Sequence, residues 1–424
     1  MIDLHECAKT MVSTIIADNM PSKSVKNAIS THDFGDSKVY LVAIGKAAWT
    51  MAKAACDYLG DTIKEGVIIT KYDHSQGDIP RMQIYEAGHP VSDENTVIAT
   101  NAVLNLVGSL GVGDTVLFLV SGGGSALFEA PLDGVTLQDM AALTNEMLAS
   151  GADITEINTV RKRLSKVKAG RFAEICKPAN IFAIVLSDVL GDRLDTIASG
   201  PAAPDKTTSE EAFYIVEKYG LKLSPGQAKH IKNETPKAVS NVKAIVTGSV
   251  RSLCESAAAC AKALGFTPYV LTASLNCEAA EAGKFLAAIA YDIQDTQVDL
   301  CKEQLIHFQK PCAIIVGGET VVKVNGNGKG GRNQELALSA ARGIAGLCDT
   351  VIFSLGSDGT DGPTDAAGGM VDGDTVARLG AIGVNIDKIL ANNDSYNGLK
   401  AIDSLIITGP TGTNVNDVAV LLCM

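Results

Sequence analysis

Several chemistries are missing from this chain. Its ten cysteines include no C-x-x-C pair, so a zinc ribbon or a thioredoxin-like site is not indicated. There is no H-E-x-x-H metal helix and no G-x-S-x-G elbow, since residues 123–126 read GGSA. No run reaches 18 apolar residues, so no membrane span is expected. Positive charge is scarce: 36 Lys and Arg against 48 Asp and Glu leave a net charge of −12. An acidic chain repels phosphate backbones and acidic lipids, which argues against nucleic acid and membrane as partners. A secretory signal would be basic and then apolar. Asp3, His5 and Glu6 stand there instead, so a cytoplasmic location is expected, with the cysteines reduced.

What is present suits large cores. The 424 residues are 46% hydrophobic, enough for two or three domains. Short β-branched runs alternate with helical stretches. Residues 39–45 (VYLVAIG), 66–70, 115–120 (TVLFLV) and 181–186 (IFAIVL) read as buried strands. Runs that are apolar throughout, separated by helices, imply a parallel sheet covered on both faces. The polar stretch 233–241 (NETPKAVSN) reads as a linker, which predicts domains at 1–235 and 236–424. Beyond it, strands are expected at 243–247, 268–271, 313–316, 351–355, 405–408 and 418–422. A further strand expected at 320–324 follows too closely for a crossover helix, so the second sheet is expected to be mixed.

Ligands of open parallel sheets bind beyond the carboxyl ends of strands, and several polar segments fall there. Lys46 stands at a strand-to-helix turn, where a cation is unfavourable unless an anion shares the site. Ser121, Gly122, Gly123, Gly124 and Ser125 follow a buried strand and could form an amide nest for an anion; the plain alternative is a flexible turn. Residues 161–171 (RKRLSKVKAGR) carry six basic residues and no acid, either the anion-attracting wall of a cleft or a solvated helix face, with Arg161, Ser165 and Lys168 on one side. Asp188 lies just past a strand, fit to be a base, a metal-associated ligand or a cap. Gly326, Gly328 and Gly331 match G-x-G-x-x-G by letter but lack the βαβ context of a dinucleotide fingerprint. Arg332 is a second cation at a helix start, and Glu319 could touch metal or ribose. Asp358, Asp361 and Asp365 crowd one loop, suited to Mg²⁺–nucleotide chemistry or to an acidic surface. His89, in Gly88-His89-Pro90, is assigned no catalytic role.

The segments AIGKAAWTMA, AGHPVSDENT, VSGGGSALFEAP, INTVRKRLSKVKAGR, LSDVLGDRLDTIASGP, GGETVV, GKGGRNQELALS, SDGTDGPTDAAGG and TGPTGTNVNDV follow one another along nearly the whole chain. In this the sequence resembles the class II glycerate kinases, the glycerate 2-kinase family whose C-terminal part is the MOFRL domain. The resemblance implies an α/β protein with a larger Rossmann-like parallel-sheet N-terminal domain and a smaller mixed-sheet C-terminal one, with the active site in the cleft between them. It implies transfer of the γ-phosphoryl group of ATP to the 2-hydroxyl of D-glycerate, with Mg²⁺, in a monomer or homodimer. By motif, Lys46, Arg332 and Asp188 would be catalytic. Ser121–Ser125, Asn158, Arg161, Glu319 and Asp358 would bind substrate or nucleotide, with Glu319 and Asp358 also holding metal.

Two other readings stay open at this point. A hydroxypyruvate reductase would require a nicotinamide site, and the glycines at 326–331 are the only fingerprint-like stretch. A non-catalytic small-anion binding module would use the same nests without turnover. NADH binding and a turnover assay separate these from a kinase.

Overall fold

The computed structural model describes residues 3–187, 189, 191–294 and 308–424. The chain forms two compact units, residues 21–247 and residues 1–20 with 248–424. The first holds a six-stranded sheet in the order β3-β2-β1-β4-β5-β6. Its strands are β1 (Lys38–Ile44), β2 (Ile63–Lys71), β3 (Met82–Ala87), β4 (Asp114–Val120), β5 (Asn180–Leu186) and β6 (Val242–Gly248). Pairing from β3 through β5 is parallel throughout.

Alternate residues serve the two faces, as the period of two requires. Leu41, Ala43, Leu117, Leu119 and Ile184 pack on one side against helix Ala48–Leu59. Val42, Ile44, Phe118, Val120 and Val185 pack on the other against helices Glu94–Val107 and Arg171–Cys176. Burial on both faces explains why these strands read as continuous apolar runs. Four further helices, Leu137–Ala149, Ile154–Arg161, Ser209–Lys218 and Pro225–Ile231, share a separate apolar cluster. Each opens on a reciprocal capping box at Thr136, Asp153, Thr208 or Ser224.

The second unit has the order β11-β10-β9-β12-β8-β7. Its strands are β7 (Thr267–Leu275), β8 (Cys312–Gly318), β9 (Thr350–Gly356), β10 (Gly368–Asp372), β11 (Leu405–Ile406) and β12 (Asp417–Cys423). β7 and β8 are parallel, while β12 lies antiparallel between β8 and β9. The expected mixed sheet is present, though residues 320–324 are not the reason. They form no strand, only a single bridge from Val321 to Glu278. Helices Ala279–Gln294 and Arg332–Gly343 bury an apolar cluster against this sheet.

Two expectations about organisation change. The division does not fall at 235/236. Residues 242–248 form the outer strand β6 beside β5, and helix Leu4–Asp18 packs in the second unit against helix Val250–Ala263 and β9. The basic run 161–171 is neither one helix nor a solvated face. Helix Ile154–Arg161 ends there in a short 3₁₀ turn, Lys162–Leu164, before helix Arg171–Cys176 begins. Lys162, Arg163, Ser165 and Lys168 are buried. Carboxylates distant in sequence neutralise them, with Asp205 3.4 Å from Lys162 and 3.9 Å from Arg163. Among the described residues no helix is long and apolar enough to cross a membrane.

Candidate functional site

In the first unit, strand order reverses direction between β1 and β4, and a crevice opens beyond their carboxyl ends at such a point. Lys46 follows β1 and the glycine loop follows β4, so two motifs 75 residues apart become neighbours. Three hydrogen bonds lock them together. Ser121 N donates to Ile44 O (3.0 Å), Lys46 N to Gly122 O (2.9 Å) and Ala47 N to Ser121 Oγ (3.0 Å). Gly45 has φ +112°, and a Cβ there would lie 2.3 Å from Ser121 Oγ, so only glycine lets the loops meet. Gly123, at φ +86°, faces two side chains: a methyl group on it would lie 3.0 Å from His89 Cδ2 and 3.3 Å from Lys46 Cγ. Among the described residues, the Gly122 and Gly123 amides have no acceptor, and Lys46 has no carboxylate partner.

Behind the loop lies a buried support. Ser125 Oγ is 2.8 Å from Ser199 Oγ. Lys168 Nζ donates to Ser125 O (2.7 Å) and Phe128 O (3.1 Å), and lies 3.3 Å from Glu129 Oε2. Burial pushes the Lys168 ammonium below the usual lysine range, with Glu129 acting in opposition. Ala198 (φ +51°) and Ser199 (φ +61°) sit in the left-handed region, at about 1–2 kcal/mol each. Ala169 N and Gly170 N hold them there, donating to Ser199 O and Gly200 O. Arg161 ends its helix half-buried, with a buried Nε that has no partner among the described residues. Asn158 lies one turn earlier, and its carbonyl accepts from Lys162 N. Asp188 lies outside the described residues.

In the second unit, Asp417 opens β12 opposite Gly318 and Gly356, the ends of β8 and β9. Arg332, first residue of its helix, donates from Nη2 to Asp417 Oδ1 (3.1 Å) and from Nε to Oδ2, and its Nη1 lies 3.2 Å from Glu319 Oε1. These carboxylates offset a cation at the positive end of a helix. Burial pulls the guanidinium pKa down, but Asp417 and Glu319 more than reverse this, so Arg332 stays firmly charged. Asp361 caps the same helix, accepting from Asn333 N (3.2 Å) and Gln334 N (2.9 Å). Burial raises its pKa to about 6 despite those bonds.

The acidic loop does not act as one cluster. Asp358 closes its own turn on Thr360 N (2.9 Å), Asp361 caps the helix, and Asp365 accepts from Tyr396 OH (2.7 Å). Among the described residues no three His, Cys, Asp or Glu gather to hold a metal. Glu319 and Asp358 stand at the same end of the sheet, following β8 and β9, but Glu319 is engaged with Arg332. The glycine fingerprint is also otherwise employed. A Cβ on Gly326 or Gly328 would strike Asn392 O at 2.4 or 2.5 Å, and one on Gly331 would strike the Asp361 carboxyl. These glycines let residues 392–394 and 361 approach the loop.

Sequence reasoning left Ser199, Glu129 and Asp417 without roles, although all three lie inside quoted motifs. It named Lys168 only as part of a charged run. Their partners come from distant segments, so spacing alone carries no signal for them.

A parallel sheet whose switch point carries an amide pair and a lysine, both without acceptor or carboxylate partner among the described residues, defines an α/β protein equipped to hold an oxyanion. Residues 7–232 match the domain of unknown function DUF4147, and residues 312–417 match the MOFRL family. The chain is 53% identical to the D-glycerate 2-kinase of Thermotoga maritima over 98% of each sequence, and 39% identical to the glycerate 2-kinase of Pyrococcus horikoshii over 99% of this chain and 98% of that one. The crystal structure of glycerate kinase from Thermotoga maritima superposes with a TM-score of 0.94 at 53% identity, covering 99% of both chains. The chain belongs to the glycerate 2-kinase family.

Proposed function

We propose that this protein transfers the γ-phosphoryl group of ATP to the 2-hydroxyl of D-glycerate, giving 2-phosphoglycerate and ADP. The observation that carries the reading is Lys46, set at the β1/β4 switch point beside the amides of Gly122 and Gly123, with no carboxylate partner and no amide acceptor among the described residues. Uncompensated donors of this kind suit an oxyanion, and both substrates carry one. Relatives at 53% and 39% identity with kinase names support the same reaction.

Phosphoryl transfer asks mainly for positioning and charge neutralisation. Lys46 and the amide pair hold an anionic group in the crevice. Arg332, kept charged and oriented by Asp417 and Glu319, stabilises charge on the transferring group. Asn158 and Arg161 complete the anion-binding wall, and Asp188 takes the hydroxyl proton. Glu319 and Asp358 are the carboxylates that would contact a Mg²⁺ ion arriving with the nucleotide, most of whose ligands would be phosphate and water. We place the reaction in the cytoplasm, which the free thiols among the described residues support.

The test couples ADP release from D-glycerate and MgATP to enolase, with and without phosphoglycerate mutase. Signal without mutase is expected. Signal only with mutase would move transfer to the 3-hydroxyl. No ADP at all would leave an anion-binding module.

A further inference from the structure

His89 lies in the same crevice, and the reaction as written above does not use it. It follows β3 in a turn fixed at two points. Ser92 Oγ donates to Ala126 O (2.7 Å), tying the turn to the glycine loop. Gly88 N donates to the Asp93 carboxylate, which also caps helix Glu94–Val107 through Thr96 N (3.0 Å) and accepts from Tyr72 OH (2.7 Å). The ring is therefore held against the loop, with Nε2 3.1 Å from where a Gly123 methyl group would sit. It is half-buried, and among the described residues neither ring nitrogen has a hydrogen-bond partner.

Among the described residues, the groups that act on it electrostatically share one sign. Lys46 comes from the loop after β1, Lys71 from the end of β2, and His74 from the loop before β3. The neighbouring carboxylates are already engaged. Glu86 accepts from His74 N (3.1 Å) and Ser75 N (2.9 Å), and Asp93 is occupied as above. Burial first, and then Lys46, Lys71 and His74, hold His89 below the ordinary histidine value, which favours the neutral ring. An arriving oxyanion would reverse the local sign and favour the imidazolium.

We propose that His89 is a further binding residue of this site: with Lys46 it grips the oxyanion seated on the Gly122–Gly123 amides, and it takes up a proton as that anion arrives. The inference rests on the kinase reading for the identity of the anion, which is either the acceptor's carboxylate or a phosphoryl group of ATP. It does not rest on that reading for the binding itself.

Sulfate is the probe, because it stays dianionic from pH 5.5 to 8.5. Its Kd is measured by calorimetry for the wild type, His89→Gln, His89→Ala and His74→Gln. In the wild type, Kd should tighten about tenfold as pH falls, corresponding to about one unit of pKa change on binding, with heats that vary with buffer through proton uptake. His89→Gln keeps an N–H donor without a titration. It should match the wild type at pH 8.5 and show no pH slope, whereas His74→Gln should keep the slope. No sulfate binding at millimolar concentration, no slope in the wild type, or a slope that survives in His89→Gln would each overturn the proposal. In steady-state kinetics, His89→Ala should raise KM for one substrate more than it lowers kcat, with Gln restoring it at pH 8.5. A rise for glycerate assigns the carboxylate, and a rise for ATP assigns a phosphate. An unchanged KM for both would also overturn it. If the sulfate slope behaves as described while no ADP forms, the kinase reading fails and the anion site stands.

Discussion

Replacing Lys168 with methionine keeps the length of the side chain and removes its charge and donors. The side chain is fully buried, and so is Glu129, 3.3 Å away. Neither Glu129 carboxylate oxygen has an aligned hydrogen bond among the described residues, so Lys168 is the neighbour that makes its charge tolerable. Removing one member of a buried pair costs about 3–5 kcal/mol, because the other charge stays buried alone. The Ser125 and Phe128 carbonyls also lose a donor, at about 1 kcal/mol each. Against a domain stability of roughly 5–15 kcal/mol, this brings the unit close to unfolding. Adding Glu129→Gln removes the stranded charge, so the double variant should recover at least about 2 kcal/mol relative to Lys168→Met. Urea unfolding of the wild type, both single variants and the double variant, followed by circular dichroism, measures each term. Lys168→Met within about 1 kcal/mol of the wild type, or a double variant no more stable than Lys168→Met, would refute the reasoning.

Other outcomes follow from the same geometry. Arg332→Ala should lower kcat/KM by about 10³ or more, and a change within about threefold in a steady-state assay would remove Arg332 from the chemistry. Gly123→Ala puts a methyl group against His89 and Lys46 at a positive φ; it should reduce kcat/KM at least about tenfold while costing roughly 1–2 kcal/mol in denaturant unfolding. Asp361 is raised in the fold to about 6, so the native state holds its proton more tightly than the unfolded chain does. Its contribution therefore rises as pH falls from about 7 towards 4, by roughly 3 kcal/mol. Asp361→Asn should lose that rise, so its stability deficit in urea grows as pH falls, whereas a constant deficit would contradict the assignment.

The central strands were legible because they are buried on both faces. Residues 115–120 and 181–186 are apolar throughout and carry no competing helical period. β3 is legible only as a strand before His89, since MQIYEA is a half-buried edge with polar residues, and β10 is not marked out, since GGMVD opens on two glycines. The glycine loop and Arg332 were readable as glycine or cation placed where a strand gives way to a helix. The basic run stays ambiguous in the sequence for a physical reason: six positive charges in eleven residues say nothing of burial until Asp205, Glu234 and Glu129 arrive from elsewhere in the chain. His89 was passed over because its surroundings are assembled from three different loops.

The middle position of β12 bears on how the protein is made. During synthesis the 21–247 unit has all its strands before most of the second sheet exists, so it can form early and locally. The other unit opens with helix Leu4–Asp18, which then waits while the whole intervening unit is translated. Its sheet also lacks the strand joining β8 to β9 until residues 417–423 emerge. Until then two long strands present open edges, which makes this half of the nascent chain the one more dependent on protection from aggregation. A ribosome stalled before residue 417 would release a folded first unit attached to a second sheet split in two.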